Sequence, residues 1–407
     1  MMVACGSQQS AEQSTADSLF VRVEGANLVT PDGEVLFIRG TNLGNWLNPE
    51  GYMFGFRSVN SAHFIDEMLR QAVGPVATDS FWKMFKDNYI TEADIAFIAS
   101  TGANTIRLPF HYKLFTDEDY MGLYSSQDGF QRMDTVIEWC RKYGLYVILD
   151  MHDAPGGQTG DNIDDSYGYP WLLECEQSQE LYASIWHDIA EHYKDEPVVL
   201  GYDLLNEPIA PYFGDDVAVL NGKLKAVYRR GFDAIREVDK NHIVILGGAQ
   251  WNSNFEPLED CNFDELVMYS CHRYGGDPTP EAIGSFIAFR DKVNRPMYMG
   301  EIGHNTYEWM TTFSKTMQDN NIGYTYWPYK KLGTSSWVGF AAPEAWDKVI
   351  EFAESNRQGY AEIRNAREHA GGIEVLQGAI EALCEAVRFE NCTIDKAYIE
   401  ALGLHVD

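Results

Sequence analysis

Short apolar runs recur along the chain and alternate with stretches in which apolar residues lie three and four positions apart. Several runs are almost continuously apolar, which is typical of parallel strands buried on both faces. The stretches between them, such as Met133 to Tyr143, Glu180 to Tyr193 and Leu220 to Val238, have the spacing of amphipathic helices. The eight runs are Leu36 to Leu43, Thr105 to Phe110, Tyr146 to His152, Val198 to Glu207, His242 to Gln250, Leu266 to Tyr274, Pro296 to Gly303 and Gly323 to Tyr329.

Strand and helix alternating eight times predict an α/β fold, a closed (β/α)8 TIM barrel in preference to an open sheet. Two β patterns precede it, Phe20 to Val23 and Leu28 to Val29. A Pro-Asp-Gly turn follows, so we expect an N-terminal β-hairpin that caps one end of the barrel. Ala345 to Glu354 has the pattern of the last barrel helix, and a C-terminal helical extension is expected to pack on the barrel. The expected division is 1–18 as a disordered leader, 19–356 as the catalytic barrel with its hairpin, and 357–407 as the extension.

Two segments are too long to be plain connectors. About 60 residues follow the first strand, and a Gly/Asp-rich stretch runs from Ala154 to Tyr169. Long connections in compact domains usually serve function. We therefore expect both segments to shape the mouth of the site.

The first residues are polar from Ser7 to Ser18 and cannot bury apolar surface. Cys5, preceded by a small residue and followed by this tether, resembles the processing site of a bacterial lipoprotein. The charged and apolar regions of an export signal are absent from the sequence, so either the signal lies outside it or Cys5 is incidental. We expect the protein to be secreted, periplasmic or on the outer cell surface. A lipid tether through Cys5 is one form that the last location could take.

The net charge and the cysteine content limit which binding partners are expected. The formal net charge is −30, and such a surface repels phosphate backbones, so nucleic acid is not an expected partner. No run reaches the ~18 apolar residues of a membrane span. The seven cysteines form no CxxC pair, which argues against a cysteine metal site, and Cys384 and Cys392 are expected to be isolated thiols.

Polar residues end nearly every apolar run. In a barrel of this kind the carboxyl ends of the strands carry the chemistry, so these residues are expected to meet at one end. Unpaired charges are costly to bury, and a cluster of them is retained by mutual pairing or for catalysis. The strand-end residues are Arg107, Asp150, His152, Asn206, Glu207, His272, Tyr274, Glu301 and Trp327.

Two carboxyl groups facing each other across a barrel mouth can cleave an acetal. Glycosidases that retain configuration need the two groups about 5 to 5.5 Å apart, one as acid/base and one as nucleophile. A carboxylate beside Arg107 would stay ionised and suit attack. The residue types alone leave open whether Glu207 or Glu301 has that place. No HExxH or GxSxG pattern supports a metallohydrolase or a serine hydrolase, and no cofactor or metal is expected.

The stretch Leu204 to Pro208 (LLNEP) resembles the Asn-Glu-Pro signature of a large clan of retaining glycosidases. The whole strand-end set, in order from Leu36 to Glu354, is similar to that of glycoside hydrolase family 5, the cellulase-type family. The motifs that carry the likeness are Arg107 in IRLPF, His152 in ILDMH, His272 and Tyr274 in CHRY, Glu301 in GEIG and Trp327 in YTYW.

This resemblance implies Glu207 as acid/base and Glu301 as nucleophile. The segment GTNLGNWL also resembles the start of these enzymes, which implies an outer-sugar contact by Asn45 and Trp46. It also implies that Arg107 and Tyr274 hold the nucleophile and that Asn206 binds the sugar 2-hydroxyl. His152 and His272 are implied to orient the sugar and the acid/base, and Trp327 to form the floor under the cleaved sugar.

The expected substrate is a polysaccharide or oligosaccharide, with β-1,4-glucan of cellulose or mixed-linkage type as first choice and endo action as the expectation. Tyr326 to Leu332 (YWPYKKL), with its paired lysines, departs from the commoner cellulase sequences. The same catalytic set would serve mannan, xyloglucan, β-1,3-glucan or a glycolipid headgroup. A carbohydrate-binding barrel without catalysis is the rival from another class, and the oligomeric state is left open.

Overall fold

The computed structural model describes residues 19–406 and contains a closed barrel of eight parallel strands. The last barrel strand pairs with the first, with Tyr324 opposite Arg39, so the barrel has no open edge. This confirms the predicted (β/α)8 fold. The barrel strands are β3 (Arg39–Asn42), β4 (Thr105–His111), β5 (Tyr146–Asp153), β6 (Val199–Asp203), β7 (Ile243–Gly247), β8 (Val267–His272), β9 (Met297–Glu301) and β10 (Gly323–Tyr326).

A hairpin of β1 (Arg22–Glu24) and β2 (Asn27–Val29) precedes the barrel, in agreement with the sequence pattern. Its residues Val21 and Leu28 are buried in a cluster with Ile148 and Ile243. These two residues lie near the starts of their strands, so the hairpin covers the amino-terminal end of the barrel and leaves the carboxyl end for chemistry.

Helices cover the outside of the barrel, and their starts were the least predictable feature. The helix predicted to begin at Met133 begins at Ser126. Its first turn is polar and carries no apolar spacing, but the Ser125 hydroxyl accepts a hydrogen bond from Gln127 N at 3.3 Å and caps it. The α-helices are Ala62–Val73, Pro75–Tyr89, Glu92–Ser100, Ser126–Tyr143, Glu176–Tyr193, Asp216–Val238, Gly284–Val293, Tyr307–Asp319, Trp346–Ala353, Tyr360–His369, Ile373–Ala386 and Lys396–Ala401, with a short distorted turn at Ala249–Asn252.

The last helices pack on the inserted ones. Asn88 Nδ2 donates to the carbonyl of Cys384 at 2.8 Å, which ties Ile373–Ala386 to Pro75–Tyr89. A small sheet forms beside the barrel mouth, in which β11 (Lys330–Leu332) pairs with β12 (Val338–Phe340) and β12 pairs with β13 (Thr393–Ile394). The extension therefore reaches the segment that follows the eighth barrel strand.

Two further sequence expectations concern the part of the chain just described. Its six cysteines, Cys384 and Cys392 included, are free thiols. Between residues 19 and 406 no helix combines the length and apolar character that crossing a bilayer requires. The leader expected over residues 1–18, with Cys5, lies outside the described residues.

Candidate active site

Arg107 lies at the centre of the carboxyl end of the barrel, fully buried on β4. Its guanidinium donates to Glu301 Oε1 at 2.8 Å and to Asp203 Oδ2 at 3.1 Å. It also donates to Asn206 Oδ1 at 2.9 Å and to Asn42 Oδ1 at 3.1 Å, and its Nη2 lies 2.8 Å from Asp150 Oδ1. One cation thus fixes side chains from β3, β6 and β9 and from the loop after β6.

Glu301, at the end of β9, has a second donor. The Tyr274 hydroxyl donates to Glu301 Oε2 at 2.8 Å. Burial, and then the negative charge of Glu301, raises the pKa of Tyr274, so the phenol keeps its proton and acts as a donor. Arg107 and Tyr274 together hold one oxygen each of this carboxylate in a fixed orientation.

Glu207 has a contrasting environment. It follows β6 on a backbone with φ of 47°, a left-handed conformation that is uncommon for a residue with a Cβ. Burial raises the pKa of Glu207 from its ordinary value of 4.5 to about 7. One oxygen of Glu207 and one of Glu301 lie within 4.8 Å of each other. The pair is therefore spaced as in retaining glycosidases, well below the ~6.5 to 9.5 Å of inverting ones.

Two histidines beside the pair are neutral. Burial lowers the pKa of His272 to about 3 and that of His152 to about 4. His272 Nδ1 lies 2.8 Å from Glu207 Oε1, so the two groups share a single hydrogen bond. Because a neutral imidazole with so low a pKa does not take up the proton, the proton needed for a leaving group stays on the carboxyl group.

Asn206 is oriented from both sides. Its Oδ1 accepts from Arg107, which has donors only, so its amide nitrogen is the atom 3.3 Å from His152 Nε2. His152 Nδ1 in turn lies 2.8 Å from Asp150 Oδ2. The arrangement assigns the Nδ1 proton to His152 and leaves the second amide hydrogen of Asn206 for a ligand.

The Gly/Asp-rich loop positions the segment that carries the acid. The buried side chain of Gln158 donates to the carbonyls of His152 and Asn206, both at 2.7 Å. Thr159 Oγ1 donates to the carbonyl of Glu207 at 2.8 Å. The loop therefore holds the end of β5 and the strained Glu207 backbone together, a role that its composition alone did not show.

A pocket of about 510 Å³ opens above these groups, within the ~300 to 1,000 Å³ usual for small-molecule sites. Trp327 forms part of its wall, with Nε1 donating to the Tyr52 hydroxyl at 2.7 Å. Its ring is parallel to that of His152, with centroids 5.2 Å apart and 6° between the planes. The lining residues are Glu50, Tyr52, His152, Ile163, Asn206, Glu207, Tyr274, Glu301, His304, Trp327, Lys331 and Ser335.

Several lining residues were not predicted as site residues, because their short segments have no periodic pattern. They are Glu50 and Tyr52 in the first insertion, and His304, Lys331 and Ser335 after later strands. The paired lysines were noted from the sequence only as a departure from the commoner cellulases. Glu50 is the most informative. Burial raises its pKa, and the charges of Glu301 and Glu207 raise it further. A third carboxyl group thus faces the same pocket.

Asn45 and Trp46 do not reach the pocket. Asn45 is fully buried, its amide nitrogen 3.4 Å from the Tyr89 hydroxyl. Trp46 is 3% exposed, and its Nε1 donates to the carbonyl of Lys86 at 2.8 Å. Both side chains are directed towards the inserted helix Pro75–Tyr89, so the expected outer-sugar contact is corrected to a packing role.

Glu207, His272 and Glu301 each present one ligand atom, mutually within 4.8 Å, a spacing that a metal ion could use. The guanidinium of Arg107 already occupies one side of Glu301, and a divalent cation there would meet a like charge. We therefore interpret the three side chains as part of the hydrogen-bonded network around Arg107 and not as a metal site.

The comparisons with known proteins agree with this geometry. A sequence model described as cellulase (glycosyl hydrolase family 5) matches residues 68–333, well over half of the chain. The chain belongs to glycosyl hydrolase family 5. The match takes in the seven barrel strands from β4 onward and both glutamates of the family 5 pocket.

Curated relatives differ in what their names say they act on. A β-xylosidase of Phanerodontia chrysosporium is 34% identical over 281 residues, covering 68% of this chain and 57% of the relative. Endoglucanase C of Acetivibrio thermocellus is 31% identical over 59% of this chain and 58% of its own. A glucan 1,3-β-glucosidase of Kluyveromyces lactis is 30% identical over 61% and 60%. The family 5 chain thus matches less than two thirds of the length of these relatives.

Solved structures agree on the fold. A rutinosidase from Aspergillus niger superimposes with a TM-score of 0.60 at 20% identity, covering 74% of this chain and 92% of that one. An endogalactoceramidase gives 0.59 at 20% identity, covering 77% and 75%. At this identity the likeness concerns the barrel alone.

Proposed function

We propose that this protein hydrolyses β-linked glucans with retention of configuration, with Glu207 as general acid/base and Glu301 as nucleophile. The observation that carries the proposal is the contrast between two carboxyl groups within 4.8 Å of each other. Arg107 and Tyr274 donate to Glu301, whereas burial raises the pKa of Glu207 to about 7. Environments that separate two neighbouring acids in this way assign their roles.

In the first step a Glu301 oxygen attacks the anomeric carbon while Glu207 gives its proton to the glycosidic oxygen. The bond from the anomeric carbon to that oxygen breaks, the leaving sugar departs as an alcohol, and a glycosyl ester on Glu301 remains. Arg107 and Tyr274 fix the attacking oxygens, so no reorganisation is required at that moment.

In the second step the ionised Glu207 takes a proton from a water molecule, whose oxygen attacks the same carbon and releases Glu301. His272 stays neutral and hydrogen-bonded to Glu207 in both steps. The free amide hydrogen of Asn206 is available to donate a hydrogen bond to the sugar 2-hydroxyl. A contact of this kind strengthens in the transition state by several kcal/mol.

For the substrate we propose β-1,4-glucan, cleaved internally, as first choice. The names of two relatives, an endoglucanase and a glucan 1,3-β-glucosidase, support a glucan. Because one relative is named a β-xylosidase and a lysine lines the pocket, other β-linked glycans are also tested as substrates.

The test measures new reducing ends and product sizes on cello-, laminari-, manno- and xylo-oligosaccharides. Wild type is expected to release the β anomer first from a cello-oligosaccharide, and Glu301→Gln to lose at least about 1,000-fold in kcat. Glu374→Gln, exposed on the extension, is the matched control and is expected to behave as wild type. Equal release by wild type and Glu301→Gln would refute the catalytic assignment, and a first-formed α anomer would refute retention.

A further inference from the structure

The paired lysines after the eighth barrel strand have different surroundings. Lys330 is fully buried, and its Nζ lies 2.6 Å from Asp94 Oδ1 and donates to the carbonyl of Tyr89 at 2.6 Å. It also donates to the carbonyl of Val387 at 3.0 Å. Every donor of this ammonium has a partner inside the protein, so Lys330 is a structural residue.

Lys331 faces the other way, into the pocket that holds both catalytic candidates. Within residues 19–406 its ammonium has neither a hydrogen-bond acceptor nor an acidic partner. The side chain is half-buried, and burial lowers the pKa of Lys331. Its three donors therefore have no acceptor among the described residues, and a bound ligand in the pocket could accept hydrogen bonds from them.

The backbone under Lys331 is held firmly. Its strand β11 pairs with β12, with Lys331 opposite Gly339, and β12 pairs with β13 of the extension. The amide of Asp395 donates to the carbonyl of Trp337 at 2.9 Å and joins the extension to the same segment. Together with the buried contacts of Lys330, these bonds fix the backbone from which the Lys331 side chain reaches the pocket wall.

We propose that Lys331 is a substrate-binding residue that donates hydrogen bonds to hydroxyl oxygens of a neutral saccharide. The proposal rests on the function proposed above and names a specificity determinant for it. Saccharide hydroxyls supply the acceptors that the protein does not. An anionic sugar is disfavoured because the ammonium of Lys331 shares its pocket with the proposed nucleophile, the carboxylate of Glu301.

The experiment separates binding from folding. Affinity for cello- and laminari-oligosaccharides is measured by calorimetry in the Glu301→Gln background, with and without Lys331→Met, and kcat and KM are measured without the background change. We expect Kd and KM to rise about tenfold or more, as for the loss of hydrogen bonds to a charged group. The melting temperature is expected to stay the same, because Lys331 makes no hydrogen bond or ion pair within residues 19–406. Lys331→Arg should restore part of the affinity, and Lys315→Met, exposed on an outer helix, is the control.

Unchanged affinity for both saccharides would overturn the proposal and leave the hydrolase function intact. A parallel fall in melting temperature and affinity would assign a structural role and overturn it as well. Tighter, Lys331-dependent binding of uronic acid oligosaccharides would overturn the preference for neutral sugars. Saccharide binding that depends on Lys331, without hydrolysis by wild type, would support this inference while refuting the proposed function.

Discussion

The proposed acid sets the alkaline limit of activity. Raising the pKa of Glu207 from 4.5 to about 7 corresponds to about 3 kcal/mol in favour of the protonated form, at ~1.36 kcal/mol per pH unit. At a pKa of about 7 the group is protonated in about 90% of molecules at pH 6 and about 10% at pH 8. An unperturbed glutamic acid would be protonated in only about 0.3% of molecules at pH 7. Since the first step needs the proton, kcat/KM should fall about tenfold per pH unit above neutrality.

The assay compares two aryl β-glucosides across pH 4 to 9. A leaving group of high pKa needs the proton, so kcat/KM for that substrate should show a descending alkaline limb that begins near pH 7. A dinitrophenyl leaving group needs no proton, so its limb should be weak or absent. Glu207→Gln should lose about 100- to 10,000-fold with the first substrate and far less in the first step with the second.

A limb near pH 5 for the first substrate would refute the reasoning, because burial would then not have stabilised the protonated carboxyl group. A limb near pH 7 that persists unchanged in Glu207→Gln would assign the titration to another group. Thermal stability measured over the same pH range is the control against unfolding.

Two further variants test how the site is held. Gln158→Leu removes the hydrogen bonds to the Asn206 and His152 carbonyls. The value of kcat should fall about 100-fold, with KM changed less, because small displacements of catalytic groups have effects of this size. A change confined to KM would contradict the positioning role of Gln158. Lys330→Met leaves Asp94 buried without its cation, and chemical denaturation should show about 3 to 5 kcal/mol of lost stability. The exposed Lys315→Met should change stability by less than about 1 kcal/mol, and an equal loss in both variants would contradict the burial argument.

The sequence predicted the barrel well because its strands are buried on both faces. Continuous apolar runs mark such strands, and the polar residue that ends each run marks the carboxyl end. The convergence of the three residues agrees with that topology, since Arg107 lies on β4, Glu207 follows β6 and Glu301 ends β9 of one closed parallel barrel. Which glutamate lies beside Arg107 does not follow from topology, and the 2.8 Å contact to Glu301 comes from side-chain geometry.

Loops and packing were harder to predict. Trp46 was assigned to the site because the segment GTNLGNWL resembles the start of family 5 enzymes. An indole also suits a protein core, and the Trp46 side chain packs against the neighbouring helix. Glu50 and Lys331 belong to segments without periodicity, so no spacing indicated that their side chains would face the pocket. Gln158 acts through backbone carbonyls, an interaction with no sequence signature.

The small sheet of β11, β12 and β13 has a consequence for how such a barrel can diversify. One wall of its pocket is backed by a strand from the last fifteen residues of the chain, far in sequence from every catalytic candidate. Substitutions in that strand can tilt the wall by fractions of an ångström without touching Arg107, Glu207 or Glu301. Substrate selectivity can therefore change through substitutions in the C-terminal extension while the catalytic residues stay the same. A barrel without this extension would keep the catalytic residues but lose the support for this wall of the pocket.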